Sequence, residues 1–272
     1  MSLIPKPFME AVVSIGLRYN NGINWIGTGF FVVKPLGDDN YQPLMVTNRH
    51  VLQGTDSIVI RLKENTTGRL RIVDMPLMSA GKKLYSSHPD DNVDIAVVLL
   101  NGGFITENDL QFSAFNIDEH SLVLRELIKQ GGDEGSYVYM LGFPMGLVNI
   151  DSNTPICRGG CIARIDEKEI KNTKQFLLDI QNFPGNSGSP IITKPEVIGV
   201  GNSSVLGKCA LIGIVHGYIP YEEKLINAQT KKVVEIRSEN SGIAVVNPVE
   251  YIKEVIEKEM ERNYDHGKDG NM

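Results

Sequence analysis

Short apolar runs separated by Gly, Asn and Asp dominate the chain and restrict it to a β-rich fold. Ala11 to Leu17, Trp25 to Val33, Leu44 to Leu52, Ser57 to Leu62 and Val93 to Leu100 are strand-length and rich in Val, Ile and Phe. These are expected to build a first barrel. Tyr137 to Leu141, Ile156 to Ile165, Gln175 to Gln181, Pro190 to Ile192, Ala210 to Val215 and Gly242 to Val246 repeat the pattern and are expected to build a second. Between the two sets, Leu124, Leu127 and Ile128 recur at helical spacing. That spacing predicts a short connecting helix over 118–130, with Asp118 as cap and Gly131-Gly132 as its end. A second helix is expected from Val249 to Arg262, with Pro248 at its start. Tyr251, Ile252, Val255 and Ile256 lie on one face, and Lys and Glu fill the other. The predicted organisation is a first barrel at 1–117, a connection at 118–135, a second barrel at 136–247, a helix at 248–264 and a disordered tail at 265–272.

Other classes find little support. The run Ile95 to Leu100 is far shorter than the ~20 residues a membrane-spanning helix needs. Two prolines interrupt the start, Met1 to Phe8, so it does not read as a secretory leader. The net charge is −6, and no basic run exceeds Lys82-Lys83 or Lys231-Lys232, which argues against nucleic acid. Cys157 and Cys161 lie four apart, but no second Cys or His pair at zinc spacing accompanies them. No metal and no cofactor is expected.

Chemistry concentrates in Gly185-Asn186-Ser187-Gly188-Ser189-Pro190. It sets a serine on a tight turn between glycines, which tolerate φ > 0 and close backbone approach. A serine hydroxyl is a weak nucleophile until a base takes its proton, and successive N–H groups on such a turn can hold an oxyanion. The base candidate is His50, at the end of the run Leu44 to Leu52. The orienting carboxylate is Asp94, at the head of Ile95 to Leu100. Singly, each has an ordinary reading: a loop serine, a packed histidine, an aspartate bonding its own turn. Their order, His50, Asp94, Ser187, with the motifs around them, favours the catalytic reading. It also excludes the α/β-hydrolase arrangement, in which the serine comes first and the histidine last.

With the flanking motifs the chain resembles the trypsin-like serine proteases, in particular the HtrA/DegP-type protease domain. The matching stretches are Gly27-Thr28-Gly29-Phe30-Phe31-Val32, Val46 to Val51, Asp94 to Val98, Leu141 to Leu147 and Pro184 to Pro190. Leu211 to Gly217 and Gly242 to Pro248 complete the set, in the family's order. The resemblance implies a chymotrypsin-like fold of two six-stranded antiparallel β-barrels with a C-terminal helix, and a serine endopeptidase acting on a protein or peptide substrate. His50, Asp94 and Ser187 would form the triad in the cleft between barrels, and Gly185 and Ser187 N–H groups the oxyanion hole. A catalytically silent module of the same fold is the alternative.

The same resemblance implies a pocket for the residue before the cleaved bond, lined by Gln181, His216, Gly217, Tyr218 and Gly242. Gln181 stands where trypsins carry a pocket-floor aspartate, so uncharged or small apolar side chains are expected there. His216 falls close to the position of the triad aspartate. Asn186 replaces the aspartate that pairs with a new N-terminus in digestive relatives, which argues against activation by pro-segment removal. Ser189 stands where glycine is usual. His50 is flanked by Arg49 and Val51, so the disulfide beside the histidine in secreted relatives cannot form. That absence and an odd count of three cysteines favour a reducing, cytoplasmic setting. No segment of PDZ length follows the protease region. HtrA relatives often trimerise through an N-terminal aromatic segment, but Phe8 and Trp25 alone do not argue for an oligomer.

Overall fold

The computed structural model describes residues 3–196 and 206–269, and side chains up to residue 263. Two strand-built halves follow each other along the chain. In the first, the strands are ordered Leu70–Pro76, Ser57–Lys63, Val12–Tyr19, Gly22–Gly37, Asn40–Thr47, Ala96–Leu99 and Tyr85–Ser87, with Phe115–Asn116 joined to Gly22–Gly37. In the second, Tyr137–Gly142, Ile156–Arg164, Phe176–Asp179, Val233–Pro248, Leu211–Ile226 and Pro190–Thr193 close into a six-stranded barrel in which every neighbouring pair is antiparallel. The expected double-barrel architecture with a C-terminal helix is what the chain adopts.

Several details differ from the sequence reading. The main sheet of the first half carries eight strands rather than six, Phe115–Asn116 pairs in parallel, and a separate two-stranded pair joins Met78–Ser79 to Lys82–Lys83. Its ladder stays open between Leu70–Pro76 and Tyr85–Ser87. Near that opening lies an apolar cavity of about 420 Å³, lined by residues such as Ile60, Met75, Val98 and Phe104, with none of His50, Asp94 or Ser187 in its lining. The Leu70–Pro76 strand escapes detection because Arg71 and Asp74 break its apolar pattern on a half-exposed edge. The run Leu44 to Leu52 is extended only to Thr47; Arg49–Leu52 is a single helical turn. Asp94 precedes its strand, which begins at Ala96. The connecting helix is Leu124–Lys129, and Asp118 does not cap it but pairs with Lys34 at 3.1 Å. The C-terminal helix runs Val249–Asp269, past the expected end, since no proline interrupts it. Residues 270–272 of the expected tail lie outside the described residues.

Each half buries its own apolar interior. A third cluster joins them: Phe30, Val46, Val97 and Phe115 from the first half meet Leu141, Phe143, Ile192 and Ile214 from the second. Val249, Ile252, Val255 and Ile256 of the C-terminal helix seal the same cluster. Burying this many aliphatic and aromatic groups, at ~1.5–3 kcal/mol each, holds the halves in fixed register. The seam between them is therefore a rigid place to assemble a site.

Candidate active site

His50 sits in the first half, on the turn Arg49–Leu52, which Val51 and Leu52 anchor in the core. Its backbone N–H donates to Asp94 Oδ1 at 3.0 Å. Its ring Nδ1 meets the other carboxylate oxygen, Asp94 Oδ2, in a short contact. A carboxylate only accepts, so Nδ1 carries the hydrogen and Nε2 presents a lone pair outward. Two buried asparagines hold Asp94 in place. Asn48 Nδ2 donates to the Asp94 carbonyl at 2.6 Å, and Asp94 N–H donates to Asn247 Oδ1 at 3.0 Å. Asn247 belongs to the second half and also donates to the carbonyls of Lys174 and Asn92. Burial alone would raise the Asp94 pKa. The hydrogen bonds and charge of His50 outweigh it, and the carboxyl titrates below its ordinary range.

The Gly185–Ser189 turn belongs to the second half, yet its bonds reach into the first. Thr28 N–H donates to the Ser187 carbonyl at 2.9 Å, and Thr28 Oγ1 donates to the Gly185 carbonyl at 2.8 Å. The same hydroxyl oxygen accepts from Phe143 N–H at 3.1 Å. Gly188 N–H donates to Val215 O, and Val215 N–H to Ser189 O, both at 3.0 Å. Gly188 has φ +89° and packs so tightly that a Cβ would stand 2.0 Å from the Thr28 carbonyl. Gly185 has φ +95°. Gly27 is wedged between Val51 and the Ser187 carbonyl, so the chain beside His50 and the chain at Ser187 flank one residue.

Ser187 is half-buried. No hydrogen bond links its Oγ to His50 among the described residues. The N–H groups of Gly185 and Ser187 likewise donate to no described group. A turn held rigidly by Thr28, Phe143 and Val215, with two N–H groups unspent, can receive an oxygen that gains negative charge. Asn186 is 1% exposed, and no group among the described residues bonds its amide.

The residues assigned to the specificity pocket are tied to neighbouring strands by local contacts. Ile180 N–H donates to Gly242 O at 3.0 Å, and a Cβ on Gly242 would lie 3.4 Å from Gln181 Nε2. Asn182 Nδ2 donates to Gly217 O at 2.8 Å. Tyr218 pairs with Ala244 and is exposed. His216 is half-buried, and its Nε2 has no partner among the described residues. Burial lowers its pKa most strongly; the Asp94 charge pulls the other way, and His50 adds to the lowering. The imidazole of His216 thus feels the charges of the His50–Asp94 pair, with its protonated form disfavoured by burial.

Thr28, Asn48 and Asn247 support this geometry, and the sequence reading assigned them no role. All three lie inside the quoted motifs, as polar residues in otherwise apolar strand sequence. Burial of such residues without hydrogen bonds is costly, which is the signal that could have singled them out.

The family model of the trypsin-like peptidase domain matches residues 27–200. Among solved structures, the apo protease domain of MamO from Magnetospirillum magneticum is similar at a TM-score of 0.45 and 14% identity, over 92% of this chain and 98% of that one. No curated protein matches the chain by sequence.

Proposed function

The chain belongs to the trypsin-like peptidase domain family, and from that premise we propose that it is a serine endopeptidase acting through Ser187, His50 and Asp94. The observation that carries the reading is the two-point grip of Asp94 on His50, one oxygen on the backbone N–H and one on ring Nδ1. That grip fixes the tautomer whose Nε2 accepts a proton. Ser187 Oγ adds to the peptide carbonyl while His50 Nε2 takes its proton. The C–O bond forms, the carbonyl π pair moves to oxygen, and the N–H groups of Gly185 and Ser187 stabilise that oxyanion by about 3 kcal/mol each. Collapse expels the amine, which receives the proton from His50, and water then hydrolyses the acyl-enzyme by the same steps.

Within the family we favour the HtrA/DegP-type branch. Asn186 cannot form the ion pair that activates digestive relatives, and its buried amide is bonded by no group among the described residues. The pocket around Gln181, His216, Gly217, Tyr218 and Gly242 offers no carboxylate of its own and suits an uncharged side chain. The three cysteines are free thiols, which supports a reducing, cytoplasmic setting. A second reading, a silent peptide-binding module, is favoured by the missing Ser187–His50 hydrogen bond. Catalytic hydrogen bonds commonly tighten only once substrate is bound, so the enzyme reading is preferred.

Wild type and Ser187→Ala incubated with a mixed peptide library, with cut sites read by mass spectrometry, test the proposal. Cleavage by wild type alone supports it. Cleavage by neither supports the silent module, and cleavage by both removes Ser187 from its role.

A further inference from the structure

Arg61 lies on the strand Ser57–Lys63 of the first half and is 5% exposed. A guanidinium keeps its proton in a protein, so this is a buried charge. Burial pulls its pKa below the ordinary guanidinium value. Such a charge is ordinarily paired with a carboxylate. Neither Arg61 nor Asp151, the nearest acidic residue along the facing loop, takes part in an ion pair among the described residues.

The protein uses only part of the guanidinium. Nη2 donates to Asn149 O at 2.6 Å and to Ile150 O at 3.4 Å. The Arg61 carbonyl accepts from Asn153 Nδ2 at 2.9 Å, so side chain and main chain both fasten this loop to the strand. The guanidinium carbon stands 5.7 Å from the centre of the Trp25 ring, which adds a cation–π contact. Nε and Nη1 meet no acceptor among the described residues, and neither is sealed from solvent. An ionised acceptor suits them, because guanidinium–carboxylate bonds are about twice as strong as neutral ones.

Contacts tie this group to the nucleophile turn. A Cβ on Gly146 would stand 3.1 Å from the Trp25 carbonyl, and a Cβ on Gly185 would stand 3.2 Å from Gly146 N. Trp25 also lies two residues before Gly27, which abuts the Ser187 carbonyl. Arg61, Trp25, Gly146 and Gly185 thus form one continuous wall leading to Ser187. None of the residues assigned to the pocket for the residue before the cleaved bond belongs to it, so this wall is left to the residues after the bond.

We propose that Arg61 binds a carboxylate on the leaving side of the substrate, carried by an acidic side chain or by the substrate's own C-terminus. The proposal rests on the endopeptidase reading and specifies its substrate. Only an ionised group neutralises the charge that burial leaves uncompensated, which selects a carboxylate over an amide.

Peptides built around the bond that wild type cuts most often test this. In one set each of the first ~5 residues after the bond, a span of ~16 Å in extended chain, is in turn Glu or Gln. In a second set the leaving half is shortened stepwise and ends in a free carboxylate or an amide. kcat/KM is measured with wild type and Arg61→Gln. At one position, Glu is expected to exceed Gln by about 10- to 100-fold in wild type and to lose that margin in Arg61→Gln. A gain confined to the free terminus at one leaving length also supports the site and identifies the chain end as the source. Glu equal to Gln throughout, with both termini equivalent, overturns the site and leaves the endopeptidase reading intact. So does Arg61→Gln slowing every peptide equally while keeping the Glu preference, as a loop clamp alone would. Arg61→Met, which keeps the apolar stem, is the second neutral variant, and the wild-type comparison stands even where neither variant folds. Where wild type cuts nothing, library peptides and their Glu→Gln versions are compared for binding to Ser187→Ala by fluorescence anisotropy. Tighter binding of the acidic forms, lost on adding Arg61→Gln, keeps the site and overturns the endopeptidase reading; equal binding overturns both.

Discussion

Replacing Thr28 with valine tests whether the seam between the halves holds the nucleophile turn. The two side chains have nearly the same shape, so the change removes a hydroxyl and little packing. That hydroxyl makes two buried bonds, to the Gly185 carbonyl at 2.8 Å and from Phe143 N–H at 3.1 Å. Both partners lie in the buried seam and have no other hydrogen bond among the described residues. Each orphaned group costs roughly 1–3 kcal/mol, so the variant is expected to lose about 2–6 kcal/mol. Against a typical stability of ~5–15 kcal/mol, that is a large fraction. The Gly185 peptide also loses the bond that fixes its plane, so labelling of Ser187 by a fluorophosphonate probe is expected to slow by up to ~100-fold. Urea unfolding monitored by fluorescence gives the stability, and the labelling rate gives the site. Thr28→Ser keeps the hydroxyl and is expected to retain most of both. A Thr28→Val loss below ~0.5 kcal/mol with unchanged labelling refutes the reasoning, as does a serine variant as damaged as the valine one.

Asp94→Asn is expected to lower kcat by about 10⁴, because the amide no longer fixes the His50 tautomer; a loss under tenfold in a peptide-cleavage assay would remove the orienting role. Gly188→Ala forces a Cβ to 2.0 Å from the Thr28 carbonyl at φ +89°, and should cost more than ~3 kcal/mol or abolish soluble expression; a urea midpoint near wild type would contradict the packing. His216→Asn tests the half-buried imidazole near Asp94. The folded pKa is lowered, so as pH falls below ~6.5 the unfolded chain binds a proton that the folded chain refuses, and stability falls. The variant is expected to show a flatter stability curve below pH ~6.5 than wild type, and identical curves would dismiss that coupling.

What the chain settles locally and what folding adds can be read residue by residue. The Gly185–Pro190 hexapeptide, the strand-length runs and the apolar face of the last helix are covalently local, so spacing and turn chemistry announce them without a fold. His50 and Asp94 were legible for the same reason, each at the edge of an apolar run. Their exact supports were not. The run containing His50 breaks at Asn48, because Asn48 spends its side chain on the Asp94 carbonyl and the chain turns into a short helix. Asn247 reaches Asp94 across more than half the sequence, and Thr28 reaches Gly185 across a similar span. Such partners are fixed by packing the two halves on Phe30, Phe143 and Ile192, a contact that no local pattern encodes. The length of the Leu211–Ile226 strand beyond Tyr218 was equally hidden, since its apolar and charged residues alternate irregularly and only pairing with Val233–Pro248 shows them to be strand. Residue types thus nominated the proposed reacting groups, whereas hydrogen bonds between residues distant in sequence decided how His50 and Asp94 are oriented and left one sheet edge open beside Ser187 among the described residues.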